Sequence, residues 1–177
     1  MIPACPVYQL TDVEWSSPSH VSVLADSATL TGLVSERQVR VSDETTRLTI
    51  GLAVPPPTWF KGVLDRLEHL LSLPANWDSF GAQAVEVRKV AHALRFLSEV
   101  MTDETPSPEI VPTPDGGLQF EWHKGRIDLE VEVVSATRIM AGFEDLETGE
   151  VWEREVSQNL RPVVDALRFL KMREAAG

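Results

Sequence analysis

From Leu118 to Val156 the chain alternates apolar and polar residues with a period of two, interrupted only at short runs rich in Gly, Ser and Thr. Period-two alternation is the mark of strands with one face buried, so this stretch reads as four antiparallel strands forming one sheet. A Lys124-Gly125 turn pairs Trp122 with Ile127, Phe120 with Leu129 and Leu118 with Val131. A Ser135-Ala136-Thr137 turn pairs Val133 with Ile139, Val131 with Ala141 and Leu129 with Phe143, and a turn near Glu147-Thr148-Gly149 sets Trp152 opposite Phe143. Every apolar side chain then shares a face, with Arg154 as the one inward misfit. The opposite face carries Glu121, Asp128, Glu130, Glu132, Glu144, Glu153 and Glu155, seven carboxylates and no cation.

A one-faced sheet needs something to cover its apolar side. Phe60, Val63, Leu64, Leu67, Leu70 and Leu71 form one stripe of a helix opening near Thr58 and ended by Pro74. Val87, Val90, Ala91, Leu94, Leu97 and Met101 form a second, and Leu160, Val163, Val164, Leu167 and Leu170 a third, with Ser157 as a cap and Pro162 in its first turn. The expected class is α+β: a four-stranded antiparallel meander with three helices on one face, preceded by a small β-rich N-terminal segment. That segment, residues 1–55, offers short β-like runs at Val21–Ala25, Thr29–Val34, Gln38–Val41 and Arg47–Val54, read as a small meander. Pro55-Pro56-Pro57 breaks the chain, because each ring fixes its own φ and disfavours helix in the residue before it. The domain boundary is therefore expected there, with residues 56–177 as the main domain.

The formal net charge is −11. Phosphate backbones and anionic lipid surfaces both call for a basic patch, so direct nucleic-acid binding and membrane adsorption are not expected. A single cysteine, Cys5, leaves no internal disulfide or thiolate zinc site. Met1-Ile2-Pro3-Ala4-Cys5-Pro6 lacks the basic, then apolar, pattern of a signal peptide, and the expected compartment is the cytoplasm.

Four patterns bear on function. The acidic face is the first: solvent faces ordinarily mix both signs, whereas here like charges stand opposite one another. Either it is a plain solvated surface or it meets a basic protein. Carboxylates at Asp128, Glu130 and Glu132 raise the alternative of a hard cation, and Glu121, Asp128 and Glu130 would serve a metal-dependent hydrolase or nuclease. Their spacing of about 7 Å along a strand suits this poorly. The Glu-x-Lys pattern of many nucleases is also missing, since His123 follows Glu121 and Glu132 follows Glu130. The second pattern is the loop from Asn76 to Ala82, in which Trp77, Asp78 and Phe80 make either a recognition knob or a packed Asx turn. The third, Pro112-Thr113-Pro114-Asp115-Gly116-Gly117, is a turn too short for a phosphate cradle. The fourth, the set His20, His69, His92 and His123, has no ligand spacing, and no Gly-x-Ser-x-Gly elbow occurs.

Leu73-Pro74-Ala75-Asn76-Trp77-Asp78-Ser79-Phe80-Gly81-Ala82, with Pro112-Thr113-Pro114-Asp115-Gly116-Gly117, Phe120-Glu121-Trp122 and Asp128-Leu129-Glu130-Val131-Glu132, resembles a family of small bacterial proteins of uncharacterised activity. The resemblance spans about residues 60 to 170 and implies a bacterial or mobile-element origin. No catalytic residue or cofactor comes with it.

The expectation is a non-catalytic, cofactor-free acidic interaction protein, antitoxin-like, an immunity protein or an accessory subunit. It would bind a basic protein through Glu121, Asp128, Glu130, Glu132, Glu144, Glu153 and Glu155, with Trp77 and Asp78 as a second contact. Mimicry of a nucleic acid is one form of this role. A structural subunit that oligomerises through its N-terminal strands is a further alternative.

Overall fold

The computed structural model describes residues 57–176, with side chains to Arg173, and before them the backbone of four strands. The chain divides into two compact units, Met1–Pro56 and Pro57–Gly177. In the first, β1 (Val13–Ser16), β2 (His20–Val23), β3 (Ser35–Arg40) and β4 (Arg47–Leu52) form a sheet in the order β1-β2-β4-β3. β2 runs parallel to β4, so this sheet is not the simple meander expected. The expected run Thr29–Val34 lies outside the described residues.

The second unit is α+β, but its sheet has five strands rather than four: β5 (Glu109–Pro112), β6 (Leu118–Lys124), β7 (Ile127–Ser135), β8 (Arg138–Asp145) and β9 (Glu150–Glu155), antiparallel in chain order. β5 is the strand missing from the expectation, because Pro106, Pro108, Pro112 and Pro114 conceal it. Pro112 is tolerated for a geometric reason. The amide of Thr113 donates to the Gly117 carbonyl at 3.1 Å. Hydrogen-bonded pairs alternate along an antiparallel ladder, so Glu109 and Val111 bond to β6 while Ile110 and Pro112 point their backbone groups away. The ring replaces an N–H that β6 never needed.

The β6–β7 turn falls one residue later than expected, at Gly125-Arg126, both with positive φ. Pairing moves by two: Trp122 faces Leu129, Phe120 faces Val131 and Leu118 faces Val133. A shift of two returns every side chain to its own face, so the core survives the correction. The β7–β8 and β8–β9 pairings follow the expected register, with Leu129 opposite Phe143 and Phe143 opposite Trp152.

Three helices lie over the apolar side. α1 (Phe60–Leu71) buries the six residues of its stripe, with Trp59 as N-cap instead of Thr58; the Thr58 amide donates to Asp103 Oδ1 at 3.0 Å. α2 (Val87–Val100) buries a face turned from its expected stripe: Ala93, Phe96 and Val100 join Val90, Leu94 and Leu97, while Val87 and Ala91 are only half-buried. α3 (Arg161–Ala176) starts four residues after Ser157. Asn159 Oδ1 accepts from the Arg161 amide at 3.1 Å, while Ser157 Oγ accepts from the Ile139 amide at 2.8 Å and so closes β8. Leu118, Phe120, Leu129, Val131 and Val133 are fully buried beneath these helices. Each such side chain contributes about 1.5–3 kcal/mol, which lets the sheet tolerate repulsion on its other side.

Candidate functional site

Because paired residues share a face, the ladder arranges the polar side of the sheet in rows running across the strands. The central row is Glu109, Glu121, Glu130, Gly142 and Glu153. On one side runs Gln119, Glu132, Met140 and Glu155; on the other, His123, Asp128, Glu144 and Val151. All seven carboxylates expected on this face are on it, and β5 adds Glu109. Asp128 faces Glu144, as the expected register requires, but Glu121 faces Glu130 and Glu109 instead of Asp128, whose other neighbour is His123. Such contacts between like charges are destabilising in an isolated sheet.

Arg138 and the titratable His123 enter the rows, and Arg138 corrects the reading of a face without cations. Arg138, the first residue of β8, reaches Glu155 with Nε to Oε2 at 3.4 Å. His123 bridges two acids, with Nδ1 2.8 Å from Asp128 Oδ1 and Nε2 3.1 Å from Glu121 Oε2. The hydrogen bond to Asp128, then that to Glu121, raises the imidazole pKa above its ordinary value.

At the centre of the grid, Gly142 supplies no side chain. A hollow of about 360 Å³ opens there, walled by Asp128, Glu130, Glu132, Glu144 and Glu153. The glycine is not required by the backbone: its φ is not positive, and a Cβ would meet nothing within 4 Å. An open hollow ringed by carboxylates is complementary in charge to cationic groups. Among the described residues, no three His, Cys, Asp or Glu side chains are grouped so as to hold a metal ion. Glu121, Asp128 and Glu130 are spread over two strands and do not converge.

Trp77 and Asp78 are elsewhere, in a loop that holds itself together. Asp78 Oδ1 accepts from the Phe80 and Ala82 amides at 2.8 and 3.0 Å, and these bonds lower its pKa. Asn76, Ser79 and Gly81 take positive φ to bring those donors round. Trp77 Nε1 donates to the Gln83 carbonyl at 3.2 Å. These bonds hold the loop in shape. Phe80, at 94% exposure, is the residue that the loop displays.

The stretch that follows Ala82 is held against the Pro112–Gly117 segment. The Gln83 amide donates to the Pro114 carbonyl at 2.8 Å, and the Glu86 amide to the Gly116 carbonyl at 3.0 Å. Buried Lys89 donates to the Asp115 carbonyl at 2.9 Å and pairs with Glu86 at 3.1 Å. A Cβ on Gly116, whose φ is +77°, would lie 2.7 Å from the Ala84 carbonyl oxygen. Lys89 is the residue that sequence reasoning passed over, since a lysine among helical polar positions gives no hint of burial.

No helix among the described residues is long and apolar enough to cross a membrane. Comparison with known proteins gives no match to a family model, to a curated protein or to a solved structure.

Proposed function

We propose that this protein is a non-catalytic interaction protein whose acidic sheet face receives a basic protein. The single observation that carries this reading is the row grid itself. Eight carboxylates stand in register on one face, five of them around the hollow at Gly142, with Arg138 and the titratable His123 entering the rows. Repulsion between paired acids is a standing cost to the free protein, and a cationic partner relieves it on binding. Arrangement of this kind raises association rate and selectivity more than raw affinity, and it weakens with salt.

The test is affinity capture from the native host with wild type and with Glu121→Lys/Glu130→Lys/Glu132→Lys as baits, at low and moderate salt, followed by rebinding of the purified prey. The expected result is a basic protein held by wild type, released by salt and lost from the charge-reversed bait. If both baits return the same proteins, the face is a solvated surface and the proposal fails.

A further inference from the structure

The two edges of the five-stranded sheet are built differently. On β5, the outward-pointing backbone groups belong to Ile110 and Pro112, as the ladder phase requires. Pro112 has no N–H to offer, and Arg66 Nε donates to the Ile110 carbonyl at 2.9 Å. Both features obstruct strand addition there. On β9, the Val156 amide donates to the Ile139 carbonyl at 2.9 Å. The same alternation then turns Trp152 and Arg154 toward β8, and directs the N–H and C=O groups of Val151, Glu153 and Glu155 outward. No described strand pairs with that side, and Val151 is 66% exposed.

Open space adjoins β9 on both faces. The outer one is the acidic hollow at Gly142, which reaches Val151 and Glu153. The inner one, about 400 Å³, lies between β9 and α3 and is lined by Phe143, Trp152, Pro162, Ala166 and Phe169, with Arg154 and Arg161 among its polar residues. Trp152 stacks on Phe143 with centroids 5.4 Å apart, and the Arg154 guanidinium covers the Trp152 ring at 4.5 Å. A polar lid over an aromatic floor is a surface ready to accept apolar side chains.

Building on the basic-partner reading above, we propose that β9 is the docking edge: an extended segment of the partner adds as a sixth, antiparallel strand, alternating Lys or Arg with apolar residues. Its cationic residues stand opposite Glu153 and Glu155 and reach toward Gly142, while its apolar residues enter the groove against Trp152 and Phe169. Charge selects this occupant over a second copy. β9 paired with itself would crowd Glu153 and Glu155 against their own copies, which like-charge repulsion opposes.

The probe is a labelled octapeptide alternating Lys and Val, read by fluorescence anisotropy. Two peptides of equal charge accompany it, one N-methylated on the Lys amides and one on the Val amides. In the proposed pairing the Lys amides face β9, so their methylation lowers affinity at least about tenfold and methylation of the Val amides does not. Val151→Pro removes an outward N–H, keeps every carboxylate and spares the β8 ladder, and is expected to weaken the unmodified peptide to a similar extent. Equal binding of all three peptides, unchanged by Val151→Pro yet lost in Glu130→Gln/Glu144→Gln, overturns the docking edge and leaves the acidic-face reading standing. Failure of wild type to bind any of the peptides at about 1 mM, where even a weak complex would register, also overturns the edge; the acidic face is then judged by the charge-reversal capture alone.

Discussion

At the scale of single residues, the charged groups divide into those that hold the fold and those that strain it. Asp145 is buried and engaged: it accepts from the Glu147 amide at 2.9 Å and the Thr148 hydroxyl at 2.9 Å, and pairs with Arg173 at 3.1 Å. Desolvation pushes its pKa up, but the Glu147 and Thr148 bonds and the Arg173 charge outweigh this, and the net shift is downward. A depressed carboxyl pKa contributes stability that is complete above the unfolded value and is lost as pH falls through the folded one. Asp145→Asn is therefore expected to narrow the gap between neutral and acidic melting temperatures, as read by thermal scans across that range. His123 runs the other way. Its pKa is raised, so its contribution is complete below the unfolded value near 6.5 and fades as pH climbs past the folded one. Half-exposure limits the effect, and His123→Gln should cost about 0.5 kcal/mol near pH 6 and almost nothing near pH 9 in urea titrations. Deprotonation also removes a positive charge from the acidic face, so capture of a basic partner should strengthen over the same pH rise. Lys89 carries a larger prediction. Lys89→Met leaves the Asp115 carbonyl and Glu86 without their donor and should cost about 1–3 kcal/mol by denaturant melts.

Among the elements, the strands were legible wherever a period-two pattern met a turn, and obscure wherever proline broke the pattern. β7, β8 and β9 follow the register expected of them because apolar residues on one face admit no odd slip. The β6–β7 turn moved by one residue because Lys124-Gly125 and Gly125-Arg126 give the same facing, and face preference alone cannot separate registers that differ by two. β5 was invisible, since the proline that argues against a strand is harmless on an outward-facing edge position. The members of the acidic face could be named from sequence, but the rows crossing β6 could not, and Glu109 was missed because its strand was. The hollow was not legible either, as a glycine in a strand ordinarily signals a bulge or a close approach, and Gly142 is neither. Its conformation permits any residue, so Gly142→Thr should stabilise the free domain by about 0.5–1 kcal/mol while weakening binding of a basic probe. Calorimetry and a binding isotherm on one preparation would test both halves. Gly116→Ala should do the reverse, losing about 1–3 kcal/mol to the clash with the Ala84 carbonyl.

For the whole molecule, a net charge of −11 and a sheet face of opposed acids make salt a stabiliser as well as a competitor. Raising NaCl to about 0.5 M, where the Debye length falls below about 5 Å, should raise the melting temperature while releasing a basic partner. The unit Pro57–Gly177 contains the three described helices and the whole five-stranded sheet, with a buried core that spans its helices and strands. Residues 57–177 expressed alone should therefore unfold cooperatively with the same salt dependence. The obstructed β5 edge has a consequence for how this domain can associate. Under the proposed docking, a sheet that takes a strand at β9 and is obstructed at β5 cannot pass the invitation on: once β9 is occupied, no copy offers its neighbour a complementary side. Head-to-tail growth into a fibre through this sheet has no second step, and strand addition ends at a complex of defined size.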